Sequence, residues 1–304
     1  MDVYLPIANL SVNAIVIVAL GLGVGLLSGM FGVGGGFLTT PLLIFYGIPP
    51  TVAAASAASQ VTGASVSGVF AHFRRKGVDV QMGAVLVTGG ILGSLLGAWL
   101  FKLLQASGQI DVVIGVLYVV LLGSIGGLMA RESVGAIRVS RGARPAKARK
   151  RRHHPLVAAL PFRWRFYASG LYISPLAPLL LGVFVGVLTM LLGVGGGFIL
   201  VPAMLYILGM GTQTVVGTSL FQTLFTTAVA TMVHATTTKA VDIVLAILLL
   251  LGSVIGAQLG ARFAAKAKPE YLRLLLAVIV LAVAARMLLG LAWRPDEIYS
   301  VGAA

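Results

Sequence analysis

Apolar runs of about twenty residues, separated by short polar segments, fill most of the chain, and their plan occurs twice. Residues 10–31, 51–73, 80–104 and 110–130 each reach the ~20 residues that a helix needs to cross a bilayer. Residues 178–192, 213–235, 243–263 and 271–293 repeat the series. In each half a short apolar segment, 37–47 or 198–208, follows the first run. Glycines recur every four residues at Gly21, Gly25 and Gly29, and again at Gly89, Gly93 and Gly97, so those helices present a flat face for close packing.

The first long run of each half is interrupted by the same phrase. Gly32-Val33-Gly34-Gly35-Gly36-Phe37 recurs as Gly193-Val194-Gly195-Gly196-Gly197-Phe198, followed four residues later by Pro41 or Pro202. Glycine costs on the order of 1 kcal/mol per residue in a helix relative to alanine, so the helix breaks there. The peptide groups so released need partners where water is scarce, a condition met when the break lines a cavity inside the protein. Further equivalences pair Ser56 with Thr218, Gln60 with Gln222, His72 with His234, Asp79 with Asp242, and Gly89, Gly93 and Gly97 with Gly252, Gly256 and Gly260. Such a series marks a duplicated unit.

Composition then fixes the class. Hydrophobic residues make up 59% of the chain, charged residues 10%, and mean hydropathy is +1.03, the values of an integral membrane protein. Cysteine is absent, which excludes disulfides, thiolate metal sites and cysteine nucleophiles. The sequence holds no cluster of His and carboxylate for a metal and no nucleophile with its base, so it predicts neither an enzyme nor a cofactor. No Lys or Arg precedes the first apolar run, so that run is expected to remain as a span.

Charge supplies the topology. Between Arg131 and Arg165 lie 11 of the 22 basic residues against Glu132 alone, +10 of the chain's +14. In a chain this apolar the run reads as a cytoplasmic loop on anionic lipid headgroups, not as a nucleic-acid-binding segment. Its charge density and lack of periodicity argue for disorder. Residues 1–130 thus form a first transmembrane repeat, 131–171 a basic cytoplasmic linker and 172–304 a second repeat. The loop of Arg74, Arg75 and Lys76 has a weakly charged counterpart around Lys239; the next loop reverses this, with Lys102 in the first half against Arg262, Lys266, Lys268 and Arg273 in the second. Because positive loops stay inside, the swap predicts that the halves are inverted. Inversion needs an odd number of crossings, so each short segment counts as a fifth passage, although 37–47 covers only ~17 Å at 1.5 Å per residue. The prediction is an all-α polytopic membrane protein of two inverted repeats, each of about five membrane passages with one short, both termini outside. Eight spans with re-entrant short segments and parallel halves is the alternative.

No Asp, Glu, Lys or Arg lies at mid-depth in a span, Arg286 coming closest. A cation pathway ordinarily shows a buried carboxylate. Helix N-termini and bare glycine amides instead favour an anion. The expected substrate site is Gly34, Gly35, Gly36, Gln60, Gly195, Gly196, Gly197 and Gln222, with hydroxyls from Ser56 and Thr218. Competing readings are plainer: breaks that serve close packing, and Ser56 and Thr218 bonded back to their own helices. His72, His234 and Arg286 are candidates for coupling, the histidines otherwise interfacial and the arginine otherwise snorkelling. Asp79 is placed as the N-cap of the next helix, and Asp242 is its counterpart.

At these residues the sequence resembles the sulfite exporter TauE/SafE family of membrane transporters. The resemblance rests on Gly29-Met30-Phe31-Gly32-Val33-Gly34-Gly35-Gly36 with Pro41, and on Leu192 to Gly197 with Pro202 and Gly217-Thr218-Ser219-Leu220. It implies a bacterial or archaeal inner-membrane permease for sulfite or organosulfonates, and it leaves the long basic linker without a counterpart. An anion channel and a membrane protein without transport are the competing classes.

Overall fold

The computed structural model describes residues 2–31, 35–74, 76–140, 162, 164–264 and 269–292. Among them ten α-helices form two series of five. The first comprises α1 (Ala14–Phe31), α2 (Gly36–Phe45), α3 (Pro50–Arg74), α4 (Val80–Ala106) and α5 (Ile110–Ser140). The second comprises α6 (Leu176–Leu192), α7 (Gly197–Tyr206), α8 (Thr212–Val233), α9 (Ile243–Ala264) and α10 (Pro269–Ala292). A π-helical turn, His234–Thr238, continues α8. Each series is preceded by a hairpin: β1 (Asp2–Leu5) with β2 (Leu10–Asn13), and β3 (Trp164–Phe166) with β4 (Leu171–Ile173). The helix content and the apolar lengths are those of an all-α polytopic membrane protein. Among the described residues six helices are long and apolar enough to cross a membrane: α1, α4, α5, α8 with its π turn, α9 and α10. The long α3 is more polar than these because its N-terminal part is buried in the bundle, where Ala53, Ala54, Ser56, Ala57 and Gln60 need no lipid-facing surface.

The two series interleave. α1 runs parallel to α9, with Gly21 against Leu249, Gly25 against Ser253 and Gly29 against Ala257. α4 runs parallel to α6, Gly89 meeting Leu179 and Gly93 meeting Val183. At these glycines a methyl group would strike the backbone of the facing helix, so the ladders allow main chain to approach main chain. The counterparts α3 and α8 run antiparallel, joined by Ser59 Oγ to Thr231 Oγ1 at 3.4 Å and Thr62 Oγ1 to Thr227 Oγ1 at 2.9 Å. α5 and α10 are also antiparallel, Gly115 facing Leu291 and Gly126 facing Val280. The central core gathers Phe37, Phe198, Tyr118, Phe101, Met82 and Leu86.

Two elements differ from the sequence reading. The first is α5, which passes residue 130 and stays helical through Ser140; Ser133 is buried there, and Tyr206 donates to Glu132 Oε2 at 2.6 Å. The second is the pair of hairpins, which periodicity alone does not announce. Both are held by the opposite half. Asp79 caps α4 through Oδ1, which accepts from Met82 N–H, while its Oδ2 accepts from the N–H and Oγ–H of Ser169 beside β4. Asp242 caps α9 through Leu245 N–H and accepts from Ile7 N–H beside β2. Both aspartates are fully buried. Their charge is offset by these donors and by the helix N-terminus each one caps. The stretch 141–161, which carries most of the linker's basic charge, lies outside the described residues.

Candidate functional site

Both glycine phrases interrupt a helix. α1 ends at Phe31 and α2 begins at Gly36; α6 ends at Leu192 and α7 begins at Gly197. Glycine is required at the second break by its backbone: Gly193, Gly195 and Gly196 have φ of 69°, 73° and 76°, the left-handed region that residues with a Cβ avoid. The first break is built differently at the position that can be compared. Gly35, equivalent to Gly196, is right-handed with φ −66°. Gly34 lies outside the described residues.

The breaks meet at the centre of the bundle. Phe37 and Phe198, the residues that follow each phrase, stack with ring centroids 4.3 Å apart and planes at 4°. Gly36 abuts the second phrase so closely that a Cβ on it would lie 2.7 Å from the Gly193 carbonyl oxygen and 2.9 Å from that of Val194. The Leu192 carbonyl at the end of α6 accepts two hydroxyls from the first half, Tyr118 at 2.6 Å and Thr40 at 3.1 Å. The axis between the breaks is therefore filled by the phenylalanine pair, and the polar groups lie beside it.

Gln60 and Gln222 flank the two breaks, 1% and 0% exposed. Thr39 Oγ1 lies 2.9 Å from Gln60 Oε1 and 3.2 Å from the Gly35 carbonyl oxygen, which ties that amide to the first break. At the second, Gln222 Oε1 is 3.3 Å from the place a Cβ on Gly196 would take, and Thr223 borders Gly195. Gln222 Nε2 donates to Thr226 Oγ1 at 2.9 Å. Gln222 Oε1 and Thr223 Oγ1 are buried with no hydrogen-bond partner. An unpartnered buried polar group costs about 1–3 kcal/mol, so two of them beside left-handed glycines mark where a polar ligand would be welcome.

The remaining candidates are placed elsewhere. Ser56 Oγ accepts from Asp242 N–H at 3.2 Å, and Thr218 Oγ1 accepts from Asp79 N–H at 2.9 Å, so both join one half to the other. His234 is buried at the start of the π turn, its Nε2 2.9 Å from the Met190 carbonyl oxygen, its Nδ1 3.1 Å from Thr238 Oγ1 and its ring edge-on to Phe101. His72, its counterpart, is half-buried at the end of α3. Arg286 is exposed, with its guanidinium 5.3 Å from the centre of the Phe45 ring. Phe45 lies nine residues beyond Gly36, about 13 Å along α2. Thr39, Thr223 and Thr226 were not singled out from sequence. Thr39 meets Gln60 only through the packing of two helices, Thr223 Oγ1 has no partner, and no duplication flags Thr39 or Thr226, whose aligned positions in the other half are Leu200 and Ala64.

Interleaved apolar helices, interrupted by two facing breaks with buried amides beside them, define a polytopic membrane protein. The chain belongs to the sulfite exporter TauE/SafE family, whose profile matches residues 17–287. It is 28% identical over 265 residues to the probable membrane transporter protein YjnA of Bacillus subtilis, covering 87% of this chain and 96% of that one. It is 27% identical over 222 residues to the probable membrane transporter protein YunE of the same organism, covering 68% and 72%. A 98-residue stretch is 30% identical to the sulfite exporter TauE/SafE family protein 3 of Arabidopsis thaliana, covering 32% of this chain and 21% of that one. No solved structure matches the chain significantly.

Proposed function

We propose that the protein is a secondary transporter that moves a small sulfur-containing anion, sulfite or an organosulfonate, across a prokaryotic inner membrane by alternating access. The observation that carries this reading is the pair of buried glutamine amides beside two apposed glycine breaks, with Gln222 Oε1 and Thr223 Oγ1 unpartnered. Binding falls to Gly34, Gly35, Gly36 and Gln60 at one break and to Gly195, Gly196, Gly197 and Gln222 at the other. Ser56 and Thr218 act at one remove, by holding the halves together. The stacked Phe37 and Phe198 keep the two polar patches apart in the closed arrangement.

Inverted halves suit alternating access, because two copies of opposite orientation can exchange conformations. The antiparallel packing of α3 on α8 and of α5 on α10 supports that arrangement, since counterparts of parallel halves would run the same way. The unlike backbones of Gly35 and Gly196 are what one end state of such an exchange would display. His72, His234 or Arg286 would couple transport to an ion gradient. In this reading the chain performs no catalysis, needs no cofactor and binds no nucleic acid, and its basic linker rests on anionic headgroups of the cytoplasmic leaflet.

The test is calorimetric binding of sulfite, sulfate and taurine to purified protein, with a thermal melt alongside. A hydrogen bond to a charged acceptor contributes roughly 1.5–3 kcal/mol, so Gln60→Ala and Gln222→Ala are each expected to weaken binding by about tenfold or more at 1.4 kcal/mol per decade. Wild-type affinity in both variants with unchanged melting would remove the glutamines from the site.

A further inference from the structure

Each glutamine amide has one end on a threonine hydroxyl and lies beside a glycine break. Thr39 Oγ1 is 2.9 Å from Gln60 Oε1, and Thr226 Oγ1 is 2.9 Å from Gln222 Nε2. The two ends of a carboxamide are nearly the same in shape and opposite in hydrogen-bonding sense, whereas a hydroxyl both donates and accepts. A threonine therefore satisfies the amide in either orientation, and what occupies the break decides between them. An anion selects the orientation with the NH2 group toward it. The carbonyl end then requires a donor in a buried place, and the threonine hydroxyl is the group already in contact.

We propose that Thr39 and Thr226 are positioning residues that hold the Oε1 atoms of Gln60 and Gln222 and so turn both NH2 groups toward the bound anion. This rests on the anion reading above and deepens it. Gln222 Nε2 meets Thr226 Oγ1 and its Oε1 is unpartnered; reversing the amide keeps the threonine contact and turns the NH2 group toward the break. The two halves achieve the same end by different routes. Thr39 reaches Gln60 from α2, so that bond depends on how α2 sits against α3, whereas Thr226 is one turn along the same helix as Gln222. The pair in α8 also has a dedicated seat. A Cβ on Gly90 of α4 would fall on Thr226 Oγ1 and lie 2.8 Å from Gln222 Nε2, so glycine at this position leaves room for the amide and its holder.

The test uses the full-length purified protein, with sulfite, sulfate and taurine as probes in calorimetry and a melt for each variant. Thr39→Val and Thr226→Val keep the shape and delete the hydroxyl; each is expected to weaken binding about tenfold. Thr39→Ser and Thr226→Ser restore it to within about threefold. In a Gln60→Ala background Thr39→Val adds no further loss, since a residue acting only through Gln60 has nothing left to position. Gly90→Ala, which removes no polar group, weakens binding as Thr226→Val does. Where Thr226→Val fails to melt cooperatively, Gly90→Ala carries the comparison, and where Thr39→Val fails, Thr39→Ala does. Wild-type affinity in the folded valine variants, or in Gly90→Ala, overturns the assignment, as does a Thr39→Val loss that persists undiminished without Gln60. A wild-type protein that binds none of the three probes overturns the anion reading itself and this assignment with it.

Discussion

Gly35 and Gly196 occupy the same place in the repeated phrase, yet the structure makes alanine far more costly at one than at the other. At Gly196 the backbone has φ 76° and ψ −27°, and placing a Cβ in left-handed backbone costs about 1–2 kcal/mol. The same Cβ would sit 2.5 Å from Val185 Cγ1 and 3.3 Å from Gln222 Oε1. Overpacking in a close-packed core adds about 1–3 kcal/mol, so Gly196→Ala is expected to destabilise by about 2–5 kcal/mol. At Gly35 the backbone is right-handed, with φ −66° and ψ −12°, and the new methyl meets chiefly Val24 Cγ1 at 2.7 Å. Only the overpacking cost applies there, about 1–3 kcal/mol. Equilibrium unfolding in mixed micelles, followed by helical circular dichroism, measures both variants. Gly196→Ala should be the less stable by about 1–2 kcal/mol. Equal stabilities, or a less stable Gly35→Ala, would refute the inequivalence of the two breaks.

Asp79→Asn should destabilise more than Asp242→Asn in the same unfolding assay, because Asp79 Oδ2 accepts two hydrogen bonds from Ser169 where Asp242 Oδ2 accepts one from Ile7. Equal effects would show that the second bond from Ser169 contributes nothing. Single cysteines at Ser107, Thr237 and Ala267 of this cysteine-free chain should react with an impermeant reagent at the first two and be protected at the third; the reverse at Thr237 and Ala267 would contradict inverted halves. Deleting residues 141–152 should leave transport in place with normal expression, since their expected role is electrostatic attachment to the membrane surface.

Much of this architecture is legible in the chain. The phrase around Gly32 to Gly36 announces helix breaks because no helix accommodates so much glycine, and both breaks fall there. The four-residue ladders announce close packing, but only the fold shows that Gly25 meets Ser253 and Gly93 meets Val183, partners in the opposite half. Ladder spacing identifies a face and is silent about what covers it. Asp79 reads as an N-cap because capping is local; its second oxygen is used by Ser169, ninety residues away, which no local rule reaches. The hairpin at residues 2–13 escapes a search by periodicity because its two four-residue strands are too short to show one. Its anchor, Asp242, is a long-range contact. At the site the glutamines stand out because a buried amide needs a reason, whereas Thr39, Thr223 and Thr226 look like ordinary helix residues that bond back to their own turn. Equal sequence also concealed unequal backbones: one phrase is right-handed at Gly35 and left-handed at Gly196.

The central claim, that buried amides at the two breaks carry an anion across the membrane, is tested most directly by counterflow in proteoliposomes. Vesicles loaded with unlabelled sulfite or taurine are placed in trace labelled substrate. A carrier accumulates label transiently and saturably, and this is expected for at least one of these two substrates in the wild type. Accumulation should be reduced about tenfold or more in Gln60→Ala and Gln222→Ala. Non-saturating flux without counterflow would indicate a channel, and counterflow undiminished in both glutamine variants would contradict the site.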